Sequence, residues 1–196
     1  MSTARRPGRP GYDLDAVLLA AAQTFTARGY DGTSMDDLAR VLGVSKSAIY
    51  HHVASKEQLL RLATDRALDG LSAVLEQASS HDGPALARLE LLVRRSVEVL
   101  VDELPFVTLL LRVRGNTAFE RRAIRRRREI DHDVAGLVAT AVADGDVRGD
   151  VDPQLTARLL FGMVNSLVEW YRPTSDGRDD LAEAVCRLAF TGLRAG

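Results

Sequence analysis

The alternation of apolar and polar positions along the chain predicts helix after helix and no convincing strand. Leu14, Val17, Leu18, Ala21, Ala22 and Phe25 share one helical face behind Asp13, a natural N-cap, and Gly29 closes that helix. Met35, Leu38, Ala39 and Leu42 then recur at i, i+3, i+4 and i+7. Thr33 and Ser34 precede them as capping hydroxyls, and Asp36 and Asp37 occupy the first turn, where the helix dipole favours carboxylates. Gly43 stops this helix, Val44 returns to the core, and Ser45 caps a second short one, SKSAIYHH. In it Ala48 and Ile49 are expected to point inward, and Lys46, Ser47, Tyr50 and His51 outward.

A longer helix is predicted from near Ser55 to about Ala78, with His81-Asp82-Gly83-Pro84 as the clearest break in the chain. Leu86, Leu89, Leu92, Val93, Val97 and Leu100 give the next, ended near Leu104-Pro105. The short apolar PFVTLLLRVR follows, then a long helix from about Ala118 to Ala143. Asp152 caps a helix with Pro153 at its first position that runs to Tyr171, and the last helix spans about Arg178 to Leu193. The expected fold is all-α in two parts, a small one over residues 1–54 and a larger one over residues 55–196.

Composition narrows the function. Net charge is −1, so any affinity for nucleic acid must come from local positive charge. Arg5, Arg6 and Arg9 supply such a cluster in MSTARRPGRPGY, whose prolines and glycines exclude a helix. This arm resembles an AT-hook core, GRP, able to lay arginines into a minor groove; the other reading is a solubilising tail. A single cysteine, Cys186, leaves no intramolecular disulfide and no cysteine cluster for a metal. No apolar run reaches the roughly 20 residues needed to cross a bilayer, and no apolar signal core is present. The expected compartment is the cytoplasm, with no membrane partner and no cofactor.

The stretch from Thr33 to Leu59 joins two short helices through a tight glycine turn and gives the second a polar outer face, which is a helix-turn-helix. Serine, lysine, tyrosine and histidine on that face can reach phosphates and base edges. TSMDDLARVLGVSKSAIYHHVASKEQL, with GYDGTS just before it, resembles the N-terminal DNA-binding domain of the tetracycline-repressor (TetR) family of bacterial regulators. The resemblance implies a homodimeric repressor whose second short helix enters the major groove of operator DNA. It places Ser45, Lys46, Ser47 and Tyr50 against bases or nearby phosphates, and Thr33, His51 and Lys56, with Ser34 beside them, at the backbone.

No enzyme site is legible. His132-Asp133 resembles the HD pair of metal phosphohydrolases, but no second His/Asp cluster accompanies it. The run Arg121–Arg128 says more once laid on a helix. Arg121, Arg125 and Arg128 face water, Arg122 and Arg126 flank them, and Arg127 alone falls among apolar positions, one turn before Asp131. Two readings of Arg127 stand side by side, an internal ion pair with Asp131 or an anionic ligand. ARLLFGMVNSLVEWYRP is apolar nearly all round and carries Asn165 inside it, so one side is expected to line a cavity and the other to pack across a dimer axis. Leu167, Leu181, Val185, Leu188, Ala189 and Gly192 are the interface positions expected on this helix and the last. RRRREID and GMVNSLVEWYRP also resemble TetR-like regulators that answer acyl-coenzyme A thioesters from fatty-acid, aromatic-acid or steroid breakdown. That resemblance ties Arg121, Arg122, Arg125, Arg127, Asn165, Trp170 and Arg172 to such an effector. A drug-responsive regulator of an efflux gene is the nearer alternative, and a helical hydrolase the remote one.

Overall fold

A computed structural model of the chain describes residues 13–173 and 178–193; Arg5, Arg6 and Arg9 lie outside them. The described residues form nine helices and no β-strand: α1 (Leu14–Arg28), α2 (Met35–Leu42), α3 (Lys46–Tyr50), α4 (Lys56–Ser80), α5 (Ala85–Asp102), α6 (Leu104–Arg112), α7 (Ala118–Ala143), α8 (Pro153–Trp170) and α9 (Arg178–Thr191). The all-α expectation holds, and α7 begins and ends where the periodicity placed it.

Caps explain the boundaries. Asp13, Ser45, Ser55 and Asp152 each accept a hydrogen bond from a backbone N–H in the first turn of the helix they precede. Ser34 and Asp37 satisfy each other's backbone N–H in a capping box at α2, and Thr117 and Glu120 do so at α7. Gly43 sits at φ 66°, ψ 30°, where a side chain would be strained by about 1–2 kcal/mol, and its turn sends the Val44 N–H back to the Ala39 carbonyl.

α5 is the centre of the larger part. α4, α6, α7, α8 and α9 all pack on it, and Leu89, Leu92, Val93 and Val97 lose all contact with solvent. Each such side chain contributes roughly 1.5–3 kcal/mol by leaving water. α4 crosses α5 closely at Gly70, where an added Cβ would stand 3.0 Å from Val99 Cγ1. The three short N-terminal helices rest on this body through α1, which packs against both α4 and α6.

Candidate DNA-reading face and ligand cavity

The outer face of the helix-turn-helix is built on one buried residue. Ile49 is fully enclosed, while Ser45, Lys46, Ser47, Ala48, Tyr50 and His51 are all exposed. Ala48 therefore departs from the sequence expectation: a helix of one and a half turns turns only a single position to the core. The Lys46 ammonium donates to Asp36 Oδ2 of α2 at 3.0 Å, which raises its pKa and fixes its reach. Ser45 Oγ lies 2.9 Å from Ser47 Oγ. Asp37, held by hydrogen bonds from the Ser34 hydroxyl and backbone N–H and from Arg40, titrates well below the usual carboxylate range.

Thr33 and Lys56 are committed elsewhere. The Thr33 hydroxyl is buried and donates to the Gly29 carbonyl at 2.8 Å. Lys56 Nζ donates to the carbonyls of Tyr30 and Thr33, both at 2.9 Å, and stands 4.2 Å from the centre of the Tyr30 ring. These contacts tie the α1–α2 turn to the start of α4 and leave Lys56 one of its three donors. A phosphate contact by the Thr33 side chain is excluded by its burial.

Within the larger part, α4, α5, α6, α7 and α8 enclose a cavity of about 480 Å³. Its walls are mostly aliphatic, with Leu71, Val99, Leu110 and Val164 around Phe161. Arg112, Arg127, Asp131, Arg158 and Glu169 bring charge to it, and Ser96, Thr108, Asn165 and Ser166 bring neutral polar groups. Ser96 is 4% exposed, and its buried hydroxyl has no hydrogen-bond partner among the described residues. Asp131 is half-buried; desolvation raises its pKa against the pull of Arg127 and Arg158. Arg127 comes no closer to Asp131 than this through-space attraction, and among the described residues it forms no ion pair.

Of the residues tied in sequence to a ligand, Arg127 and Asn165 line this cavity and five do not. Arg121 donates to the carbonyls of Gly115 and Asn116, closing the loop before α7. Arg122 and Arg125 are exposed on the far side of α7. Trp170 is 59% exposed, and Arg172 donates to its neighbour's carbonyl. Ser96 and Arg158 were missed, since a lone serine or arginine in an amphipathic helix carries no mark of the gap it faces.

Leu167, Val185 and Ala189 lie inside the subunit, so they cannot meet a partner directly; Leu188 and Gly192 are exposed and Leu181 is half-buried. The outward apolar positions on α8 are Leu155, Leu159 and Trp170, with Gly162 and Ser166 between them. His132 and Asp133 are both exposed, and among the described residues no cluster of three or more metal-binding side chains occurs. No helix of the described residues is long and apolar enough to cross a membrane.

Residues 17–63 match the bacterial regulatory proteins of the tetR family, and residues 82–193 match the tetracyclin repressor-like C-terminal domain. The chain belongs to the TetR family. It is 30% identical over 181 residues to the HTH-type transcriptional repressor KstR2 of Rhodococcus jostii, covering 90% of this chain and 89% of that one. Its fold matches the crystal structure of SCO3833, a TetR-family regulator from Streptomyces coelicolor, with a TM-score of 0.84 and 54% identity over 100% of this chain and 96% of that chain. AibR, in complex with isovaleryl coenzyme A and operator DNA, matches with a TM-score of 0.74 and 26% identity, covering 90% of this chain and 97% of that one. This TetR-family chain is a DNA-binding transcriptional repressor and not an enzyme.

Proposed function

We propose that this TetR-family repressor leaves its operator when an acyl-coenzyme A thioester fills the cavity of the larger part. The cavity itself carries the reading: aliphatic walls suit an acyl chain, and Arg127 and Arg158, which form no ion pair among the described residues, offer positive charge to it. The stranded Ser96 hydroxyl is suited to donate to a thioester carbonyl. The likeness to AibR, solved with isovaleryl coenzyme A, supports the same class. An efflux regulator for cationic drugs fits less well, because among the described residues Phe161 is the cavity's one aromatic lining residue and three arginines face two carboxylates.

In this reading residues 1–54 read DNA through Ser45, Lys46, Ser47 and Tyr50, and residues 55–196 bind ligand and a second copy of the chain. A homodimer is favoured by Leu155, Leu159, Trp170 and Leu188, which leave apolar surface uncovered on α8 and α9. Two such readers would then span two half-sites of the operator. α6 is the element placed to link ligand to DNA. Val107, Thr108, Leu111 and Arg112 reach the cavity, and the helix is tied to other helices at both ends. At its start, Arg66 of α4 grips Glu103 at 2.6 Å and 2.9 Å and reaches Asp15 of α1 at 3.2 Å. At its end, Arg112 donates to the Thr26 carbonyl of α1 at 3.1 Å. Ligand release of DNA requires tighter binding to the state that cannot hold the operator.

The test is operator release by a panel of short, long and aromatic acyl-coenzyme A esters beside their free acids. At least one ester should release DNA at micromolar concentration while its acid does not. Failure of every ester to shift operator binding or melting temperature would overturn the reading.

A further inference from the structure

A second, smaller notch of about 260 Å³ opens between α7 and α8, lined by Arg128, Asp131, His132, Gln154 and Arg158. Asp131 and Arg158 line both this notch and the main cavity, so the two adjoin at those side chains. Arg128 and His132 stand one helical turn apart on α7, and Gln154 and Arg158 one turn apart on α8, so four polar side chains converge from two helices. Of the α7 arginines only Arg126 is held by a carboxylate among the described residues, whereas several arginines on other helices are paired. Arg126 holds Asp69 at 2.6 Å and donates to Ser72 at 3.1 Å, and Arg61, Arg66, Arg94, Arg95 and Arg148 each have a carboxylate. Among the described residues neither Arg128 nor Arg158 has one. The notch therefore carries two guanidinium groups against the carboxylate of Asp131, and Arg127 lines the adjoining cavity.

From this arrangement we infer that the notch formed by Arg128, His132 and Arg158 is the seat for the ligand's phosphates, with the acyl part passing between α7 and α8 into the cavity. This rests on the acyl-coenzyme A reading and relocates its polar half from the outer arginines, Arg121, Arg122 and Arg125, to the α7–α8 seam. Guanidinium forks suit paired phosphate oxygens, and the exposure of all three side chains lets a polyanionic tail stay partly hydrated. Asp131 weakens this positive field: its charge opposes a phosphate held beside Arg158, and burial already raises its pKa.

Esters from the panel are to be titrated against their acyl-pantetheine counterparts, which keep the thioester and lack the phosphates. In the Arg128→Gln/Arg158→Gln protein, ester affinity should fall tenfold or more, to near that of the pantetheine thioester, whose own affinity falls far less. Asp131→Asn should tighten the ester a few-fold and the pantetheine thioester by less. Arg122→Gln/Arg125→Gln should change neither. Ligand-free melting temperatures establish that each variant folds. Full ester affinity in the Arg128/Arg158 variant, or a loss in the Arg122/Arg125 variant, would overturn the seat while leaving the ester reading intact. If no ester binds the wild-type protein, coenzyme A and inorganic pyrophosphate are the probes. Saturable binding of either that the Arg128/Arg158 variant loses keeps the seat; no binding of either removes it along with the ester reading.

Discussion

Two side chains in the cavity make opposite demands on folding and on binding. Ser96 hides a hydroxyl that finds no partner among the described residues, so Ser96→Ala should hold or raise the ligand-free melting temperature. The same change should weaken the effector by roughly 0.5–1.5 kcal/mol if the hydroxyl serves the ligand, a several-fold shift readable by calorimetry. Asp131 binds its proton more tightly folded than unfolded, because burial disfavours its charge. Its contribution therefore turns against the fold as pH rises through the carboxylate range. Asp131→Asn should raise the melting temperature at neutral pH, and the gain should vanish in acid, where both side chains are neutral. A melting series from pH 3 to pH 8 reads this, and a gain that persists in acid would point to packing instead of charge.

At the scale of helices, α3 hangs on a single anchor. Ile49→Ala should cost about 2–5 kcal/mol, and the loss should fall on operator binding before it reaches the α4–α9 body. Near-normal operator affinity in that variant would mean that the α2–α3 turn and the Lys46–Asp36 pair suffice. The helices were legible in the sequence because apolar spacing and caps are local. α7 shows it in both directions. Its ends and the odd position of Arg127 follow from the helical period, but the emptiness beside Arg127 does not, since a cavity depends on how far apart α5, α7 and α8 stand. The same limit governs α8 and α9. Both are apolar on more than one side, and period alone does not say which side turns inward, so Leu167, Val185 and Ala189 went to the core while Leu155 and Leu159 came out. Arg158 and Ser96 were illegible for the reason that one polar residue in a helix has no period.

For the whole molecule, the uncovered apolar surface makes a direct prediction. Leu159→Arg or Leu188→Arg should yield a monomer that keeps its helical content and loses specific operator binding, as read by sedimentation and footprinting. A dimer of normal affinity in both variants would put the contact on another face. The two pins of α6 differ in kind, and that difference has a mechanical meaning. The Arg66–Glu103 pin is ionic and partly open to solvent, whereas the Arg112 pin ends on a neutral carbonyl. Dissolved salt screens the first far more than the second. Raising ionic strength is thus expected to loosen α6 at its start and leave it pivoting on Thr26, so salt would set the stiffness of the hinge as well as the grip on DNA.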